Sequence, residues 1–196
     1  MDVVEAARKG AGVPWSAIDT IVVNVGPGTF TGIRAGVAAA RGLALSLGVP
    51  AVGVTTFRAF EAHREVGGPL TVALDARRGQ VYAQAFDGGG KALVDAIVGT
   101  PERVLDALED AAAHGSLAGS GAEALLAARP GTELGIAMRD GEPWLDAHPD
   151  VAAVAAAAAA GHAIVAEPLY LRAADARPAR DAGLRQPAGD RQEEIA

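Results

Sequence analysis

Ile21-Val22-Val23-Asn24-Val25 runs directly into Gly26-Pro27-Gly28-Thr29-Phe30-Thr31-Gly32-Ile33-Arg34, and an alanine-rich segment then continues to Leu47. The β-branched run reads as a buried strand and the alanine-rich segment as a helix, so the order is strand, glycine turn, helix. A helix start leaves backbone N–H groups unpaired beside a partial positive charge, which makes such a turn a candidate phosphate cradle. Two familiar forms of that cradle do not fit. A P-loop requires Gly-Lys followed by Ser or Thr, and the turn contains no lysine. The dinucleotide fingerprint requires a third glycine where Thr31 stands and an acid after the next strand, where this chain has Val54, Thr55 and Thr56. The same glycines have a plain backbone reading: they turn the chain sharply into a helix capped by Thr29 or Thr31.

Outward from this unit, Gly48-Val49-Pro50 stops the helix and Ala51 to Val54 reads as a second strand, completing a strand-helix-strand unit with parallel strands. Thr55 or Thr56 caps a helix over Phe57 to Arg64, and Gly67-Gly68-Pro69 marks a boundary. Beyond it, Leu70 to Asp75 and Gln80 to Phe86 form a hairpin around Ala76-Arg77-Arg78-Gly79. A weaker strand is expected near Ala96 to Val98, a helix from Pro101 to about Ala113, a short strand at Leu117-Ala118 and a helix over Ala122 to Ala128. Arg129 to Pro149 has few periodic signals. Val151 to Ala160 reads as an alanine helix ending at Gly161, and Pro168 to Arg172 as an extended segment. The expected domains are a first lobe over 1–66, a second over 67–172 and a disordered tail over 173–196. At the start, Asp2 to Lys9 reads as the end of a helix, stopped by Gly10 and Gly12, with Trp15 as a packing residue in the loop that follows.

Composition bounds the function. The chain has 196 residues, half of them hydrophobic, which is ample for a core. Without cysteine it has no disulfide, thiolate nucleophile or cysteine-ligated zinc, and a cytoplasmic location is expected. A net charge of −7 disfavours an unaided grip on a phosphate backbone, so any contact with nucleic acid is expected to go through a basic partner. The histidines at 63, 114, 148 and 162 never fall at i, i+4, and no metal site is expected. Asp75, at a strand end, is a candidate for handling phosphate, but an Asp before a turn also bonds the turn backbone without any ligand. The threonines of the glycine turn have no neighbouring base to activate them, so a phosphate held there would not be cleaved.

The helix after the turn carries a second signal. Gly32, Gly36, Ala40 and Ala44 recur every four residues and make a smooth stripe, Ile33 and Val37 lie beside it, and Arg34 and Arg41 share a face. Such a stripe allows close approach either of the chain's own sheet or of a partner helix.

Gly26 to Arg34, the following Ala35 to Ala44, and Asp75-Ala76-Arg77-Arg78-Gly79-Gln80-Val81-Tyr82 together resemble the TsaB (YeaZ) family, and Pro168 to Arg172 is similar to that family's end. The resemblance covers nearly the whole chain to Arg172. It implies an α/β actin-like (ASKHA, ribonuclease-H-like) two-lobed fold and a non-catalytic subunit that pairs with the catalytic paralogue TsaD. TsaE and a supplier of threonylcarbamoyl-adenylate act with them in threonylcarbamoylation of the tRNA adenosine beside the anticodon. It also implies pairing through Gly32, Ile33, Arg34, Gly36, Val37, Ala40, Arg41 and Ala44, and it leaves room for a homodimer. No cofactor of its own is expected, with ATP or ADP at the partner interface as the variant in which Gly26, Gly28, Thr29, Thr31 and Asp75 make contact. The alternative is an actin-fold small-molecule kinase or a peptidase-like enzyme. The family opens with strands bearing an Asp-Thr-Ser motif ahead of the helix whose end is Asp2 to Lys9. The expectation is therefore an incomplete first lobe, with Ile21 to Val25 left at an open sheet edge.

Overall fold

The computed structural model describes residues 2–65, 67–108, 115–131 and 134–172. Helix α1 (Asp2–Gly10) carries an internal ion cluster in which Arg8 reaches Glu5 at 2.8 Å, and Arg8 also lies over the Trp15 ring. Strand β1 (Ile21–Gly26) leads through the glycine turn into α2 (Phe30–Leu47). Gly48 ends α2 in the left-handed region at φ 69°, with its N–H and that of Val49 returned to Leu45 and Ala44. β2 (Ala51–Thr55) then lies parallel to β1. Thr55 caps α3 (Thr56–Ala62) by accepting the Arg58 N–H at 3.1 Å.

The second sheet starts with the hairpin β3 (Leu70–Asp75) and β4 (Val81–Phe86), followed by β5 (Ile97–Gly99), α4 (Pro101–Leu108), β6 (Ser116–Ala118), α5 (Ala122–Ala128) and β7 (Gly135–Ile136). Its order is β5-β4-β3-β6-β7, antiparallel on the hairpin side and parallel from β3 to β7. β8 (Met138–Arg139) and β9 (Glu142–Pro143) form a small ladder inside the stretch that lacked periodic signals. α6 (Val151–Ala157) is capped by Asp150, widens by one residue per turn over 158–162, and breaks at Gly161 with φ 88°. The part of the expected helix after Leu108 that covers 109–114, and the tail over 173–196, lie outside the described residues.

Beyond β9 the chain crosses back to the first lobe. β10 (Ile164–Val165) pairs antiparallel with β2, so the first sheet is β1-β2-β10, and α6 packs its Ala153, Val154 and Ala157 against Val54 and Ala59 of the first lobe. The chain leaves the second sheet and returns to the first. Residues 151–172 therefore do not belong wholly to the second lobe. The cause is burial: α6 consists only of alanine and valine, and α3 and β2 cover its Ala153, Val154 and Ala157.

Helix α3 lies between the lobes and serves both. Its Phe57 and Phe60, both fully buried, enter the second lobe's core with Leu70, Val72, Leu74, Phe86 and Trp144, while Ala59 faces the first-lobe cluster. Burying each phenylalanine is worth about 1.5–3 kcal/mol. On its polar side, Glu61 is 8% exposed between Arg58 and Arg64, and these arginines donate to the carbonyls of Gly90, Gly68, Asp87 and Gly88. α4 and α5 cover the other face of the second sheet through Val104, Leu105, Leu108 and Leu125. Among the described residues β1 has β2 on one side and no strand on the other, and no helix is long and apolar enough to cross a membrane.

Candidate functional site

The glycine turn is fixed from within. The Gly26–Pro27 peptide is cis and Gly26 sits at φ 109°, a region open to glycine. Its N–H donates to Asn24 Oδ1 at 2.8 Å. The Thr56 hydroxyl, at the start of α3, lies 2.7 Å from the Pro27 carbonyl and 3.0 Å from the same Asn24 oxygen, and its one proton serves these two acceptors. Thr29 occupies the N-cap position of α2 but makes no side-chain cap bond. Its Oγ1 would lie 2.6 Å from a Cβ at residue 32, which is why glycine stands there. Thr31 is exposed on the first turn of α2.

Asp75 is committed to its own turn. Oδ1 accepts the Arg77 N–H at 2.7 Å, and Oδ2 lies 3.4 Å from Arg77 Nη1. Arg77 and Arg78 both take left-handed φ, 63° and 56°, so the turn carries backbone strain that side-chain anchoring must offset. The backbone N–H of Asp75 donates to Ser120 Oγ at 3.1 Å.

A common segment links the glycine turn and the Asp75 turn. Residues 169–172 bridge them: Leu169 N–H donates to Val25 O at 2.8 Å, Tyr170 meets α2, Leu171 packs on the α3–β3 core, and Arg172 donates to Ala76 O at 3.1 Å and to the Gln80 side chain. Gly26 faces this strap closely, since a Cβ there would lie 3.3 Å from Leu169 O. Two surface depressions lie elsewhere. One is a small cleft among Arg64, Pro69, Ser116 and Trp144, and the other an open basin of about 500 Å³ lined by Arg139, Asp140, Glu142, Asp146, His148 and Asp150. None of Gly26, Gly28, Thr29, Thr31 or Asp75 lines either one. Among the described residues no group of three His, Asp or Glu side chains is placed to hold a metal ion.

The eight interface candidates divide. Val37, Ala40 and Ala44 are buried on β1, Ile33 and Gly36 are half-buried, and Gly32, Arg34 and Arg41 are exposed. The stripe through Gly36, Ala40 and Ala44 thus meets the chain's own sheet, with Val23 Cγ2 3.9 Å from where a Gly36 Cβ would be. A partner has no access to Val37, Ala40 or Ala44. The cause is that α2 carries small residues all round, so a four-residue repeat exists on both sides. The free side is Ala35, Ala38, Ala39 and Gly42, flanked by Arg34 and Arg41 and ending at Leu45, which is 85% exposed. These four small residues were not singled out from the sequence; the interval between the two arginines was the available signal.

At the N-terminal end of that face stands a cluster of Phe30, Arg34 and Tyr170. The Arg34 guanidinium lies 3.8 Å from the Phe30 ring centre, its Nε donates to Tyr170 OH, and the two rings are 5.7 Å apart. Both rings are about half exposed.

A five-stranded mixed sheet and a smaller sheet joined through a shared helix, with a glycine turn feeding the long helix of the first lobe, define an actin-like, ribonuclease-H-like two-lobed protein. The profile of the family described as "TsaD: tRNA N6-adenosine threonylcarbamoyltransferase" matches residues 1–177. The chain is 32% identical to the tRNA threonylcarbamoyladenosine biosynthesis protein TsaB of Escherichia coli over 184 residues, covering 88% of this chain and 78% of that one. It is 44% identical to the protein of the same name from Bacillus subtilis over 70 residues, 35% of this chain and 31% of the other. The solved structure of YeaZ from Pseudomonas aeruginosa superposes with a TM-score of 0.69 at 27% identity, over 86% of this chain and 81% of that one. The chain belongs to the TsaB (YeaZ) family.

Proposed function

We propose that this chain is a non-catalytic partner subunit in the formation of threonylcarbamoyladenosine in tRNA, and that it holds a TsaD-type catalyst through the outer face of α2. The observation that carries this reading is that face: a smooth row of Ala35, Ala38, Ala39 and Gly42 beside two arginines, none of it used by the chain's own core. Small residues let a second helix approach closely, and the arginines offer pairing to its carboxylates. The commitments of the polar groups favour the same reading. The Asp75 oxygens bond their own turn, the Thr56 hydroxyl is used on Pro27 and Asn24, and no base lies within the glycine turn to activate Thr29 or Thr31. In this reading the subunit works in the cytoplasm, meets TsaE and tRNA through the complex, and any ATP or ADP sits at the partner interface.

Gly42→Leu tests it. A Cβ at Gly42 meets nothing within 4 Å of its own chain, so leucine there leaves the subunit intact and obstructs a docking helix. Association with TsaD, followed by analytical ultracentrifugation, should weaken at least tenfold, with a melting temperature no lower than that of the parent. Undiminished association rejects the α2 face. Nucleotide turnover by the purified chain alone, abolished by Asp75→Ala, rejects the non-catalytic role.

A further inference from the structure

The cluster of Phe30, Arg34 and Tyr170 is not needed for the core, yet it is built from two segments 136 residues apart. Phe30 and Tyr170 are 54% and 49% exposed, and holding two large aromatics on the surface is costly unless something covers them. Between them the Arg34 guanidinium is pinned through one ring face and through its Nε proton, which leaves the paired Nη1 and Nη2 edge without a partner among the described residues. That edge matches a carboxylate in the two-bonded geometry that arginine favours. Among the described residues no carboxylate ion-pairs with Arg34, although the chain's 24 acids outnumber its 17 lysines and arginines. Among the described residues the prepared anion acceptor is therefore unoccupied.

Tyr170 is placed by the strap rather than by α2. Its neighbours on each side are tied down at separate points: Leu169 to the end of β1, Leu171 in the α3–β3 core, and Arg172 to Ala76 O and Gln80 in the second lobe's hairpin turn. We propose that Phe30, Arg34 and Tyr170 form a docking point for a carboxylate on an acidic protein surface, completed by the strap, so that docking on the first lobe depends on the hold of Arg172 on the second. This rests on the partner-subunit reading and names the group that the partner presents.

Charge selects this occupant over two others. A second copy docked antiparallel through α2 would bring Arg34 of one chain toward Arg41 of the other, a like-charge contact. A nucleic-acid backbone is repelled by a body of net charge −7, and α2 carries two arginines rather than a basic patch. An acidic protein surface meets neither obstacle, and the adjoining alanine face gives it apolar area to bury.

The experiment uses the full chain, TsaD from the same genome and three variants, with affinity from titration calorimetry and amide exchange on the isolated chain. Arg34→Gln should lower affinity for TsaD tenfold or more, and Arg34→Lys should restore only part of it. Arg172→Ala, which touches no part of the docking point, should lower affinity about three- to tenfold and speed exchange at the Leu169 amide while exchange in β3 stays unchanged. If the parent binds TsaD and Arg34→Gln binds equally well, the docking point is wrong and the partner reading stands. If the parent does not bind TsaD at all, the partner reading falls and the docking point with it. Unchanged Leu169 exchange in Arg172→Ala overturns the strap's role whatever TsaD does. Retention of bare tRNA by the parent, lost in Arg34→Gln, would assign the cluster to phosphate instead.

Discussion

Replacing Thr56 by valine tests whether the glycine turn is held by the chain itself. Thr56 is 1% exposed, and its hydroxyl is the group that joins α3 to the turn, 2.7 Å from Pro27 O and 3.0 Å from Asn24 Oδ1. Valine keeps the shape and removes the donor. Asn24 Oδ1 still accepts the Gly26 N–H, so the uncompensated loss falls on the buried Pro27 carbonyl. Leaving such a carbonyl without its partner costs about 1–3 kcal/mol. For a chain of this size each kcal/mol moves the melting temperature by about 2–4 °C, so a mid-range loss of about 2 kcal/mol lowers it by about 4–8 °C. Thr56→Ser keeps the hydroxyl and loses one methyl, worth about 0.8 kcal/mol in transfer, and should fall by only about 2–3 °C. Calorimetric melting of parent, Val and Ser variants gives the order, and Asn24→Ala with and without Thr56→Val gives the coupling, expected at about 0.5 kcal/mol or more. A valine variant that melts with or above the serine variant refutes the hydroxyl's role.

Gly53→Ala should destabilise by about 1–3 kcal/mol and raise amide exchange at Ile164 and Val165, because a Cβ there falls 2.6 Å from Val25 Cγ1 and 2.7 Å from Val165 O; undiminished β10 protection would contradict this. Gly42→Ala should raise the melting temperature by about 2–4 °C, since the site is open and alanine gains about 1 kcal/mol over glycine within a helix. Asp87 accepts the Lys91 N–H and then the Gly89 N–H, and these bonds hold its carboxyl below the usual 3.8. A depressed folded value means stabilisation that is complete above pH 3.8 and lost as pH falls through the folded value, so urea midpoints should drop on acidification below pH 3.8, and less steeply in Asp87→Ala.

The strand-turn-helix unit was legible because each boundary has a local cause: an apolar run ended by glycine, a helix ended by Gly48 and Pro50, a hairpin marked by Asp75 to Gly79. The return to the first sheet was not, since β10 has only two residues and its pairing with β2 spans over a hundred positions. Trp144 sits in a stretch without period, yet it stacks on Phe60 with ring centres 5.0 Å apart and closes the second core. The outer face of α2 was hidden for a different reason. A helix with small residues on every side has no dominant apolar stripe, so its orientation is decided by β1 and not by its own pattern. The Tyr170–Arg34 contact has no local signal at all, because the aromatic ring and the cation that it orients meet only when the chain closes.

The polar contacts between the lobes fit the proposal that this protein works by presenting a surface. An actin-like enzyme gains from lobes that close around a ligand, and closure needs a boundary that can slide or bend. Here the boundary is crossed at several separate places. The two phenylalanines of α3 lie in the second core while its alanines lie in the first, Arg58 and Arg64 hold the carbonyls of Gly90, Gly68, Asp87 and Gly88, and Arg172 holds the β3–β4 turn. Opening the lobes would expose the phenylalanines and break charge-assisted bonds that are each worth about 1.5–3 kcal/mol. Rigidity of this kind removes the ordering cost that a docking surface otherwise carries into its complex. The energy spent on joining the lobes thereby fixes the outer face of α2 and the Phe30–Arg34–Tyr170 cluster in one arrangement before a partner arrives.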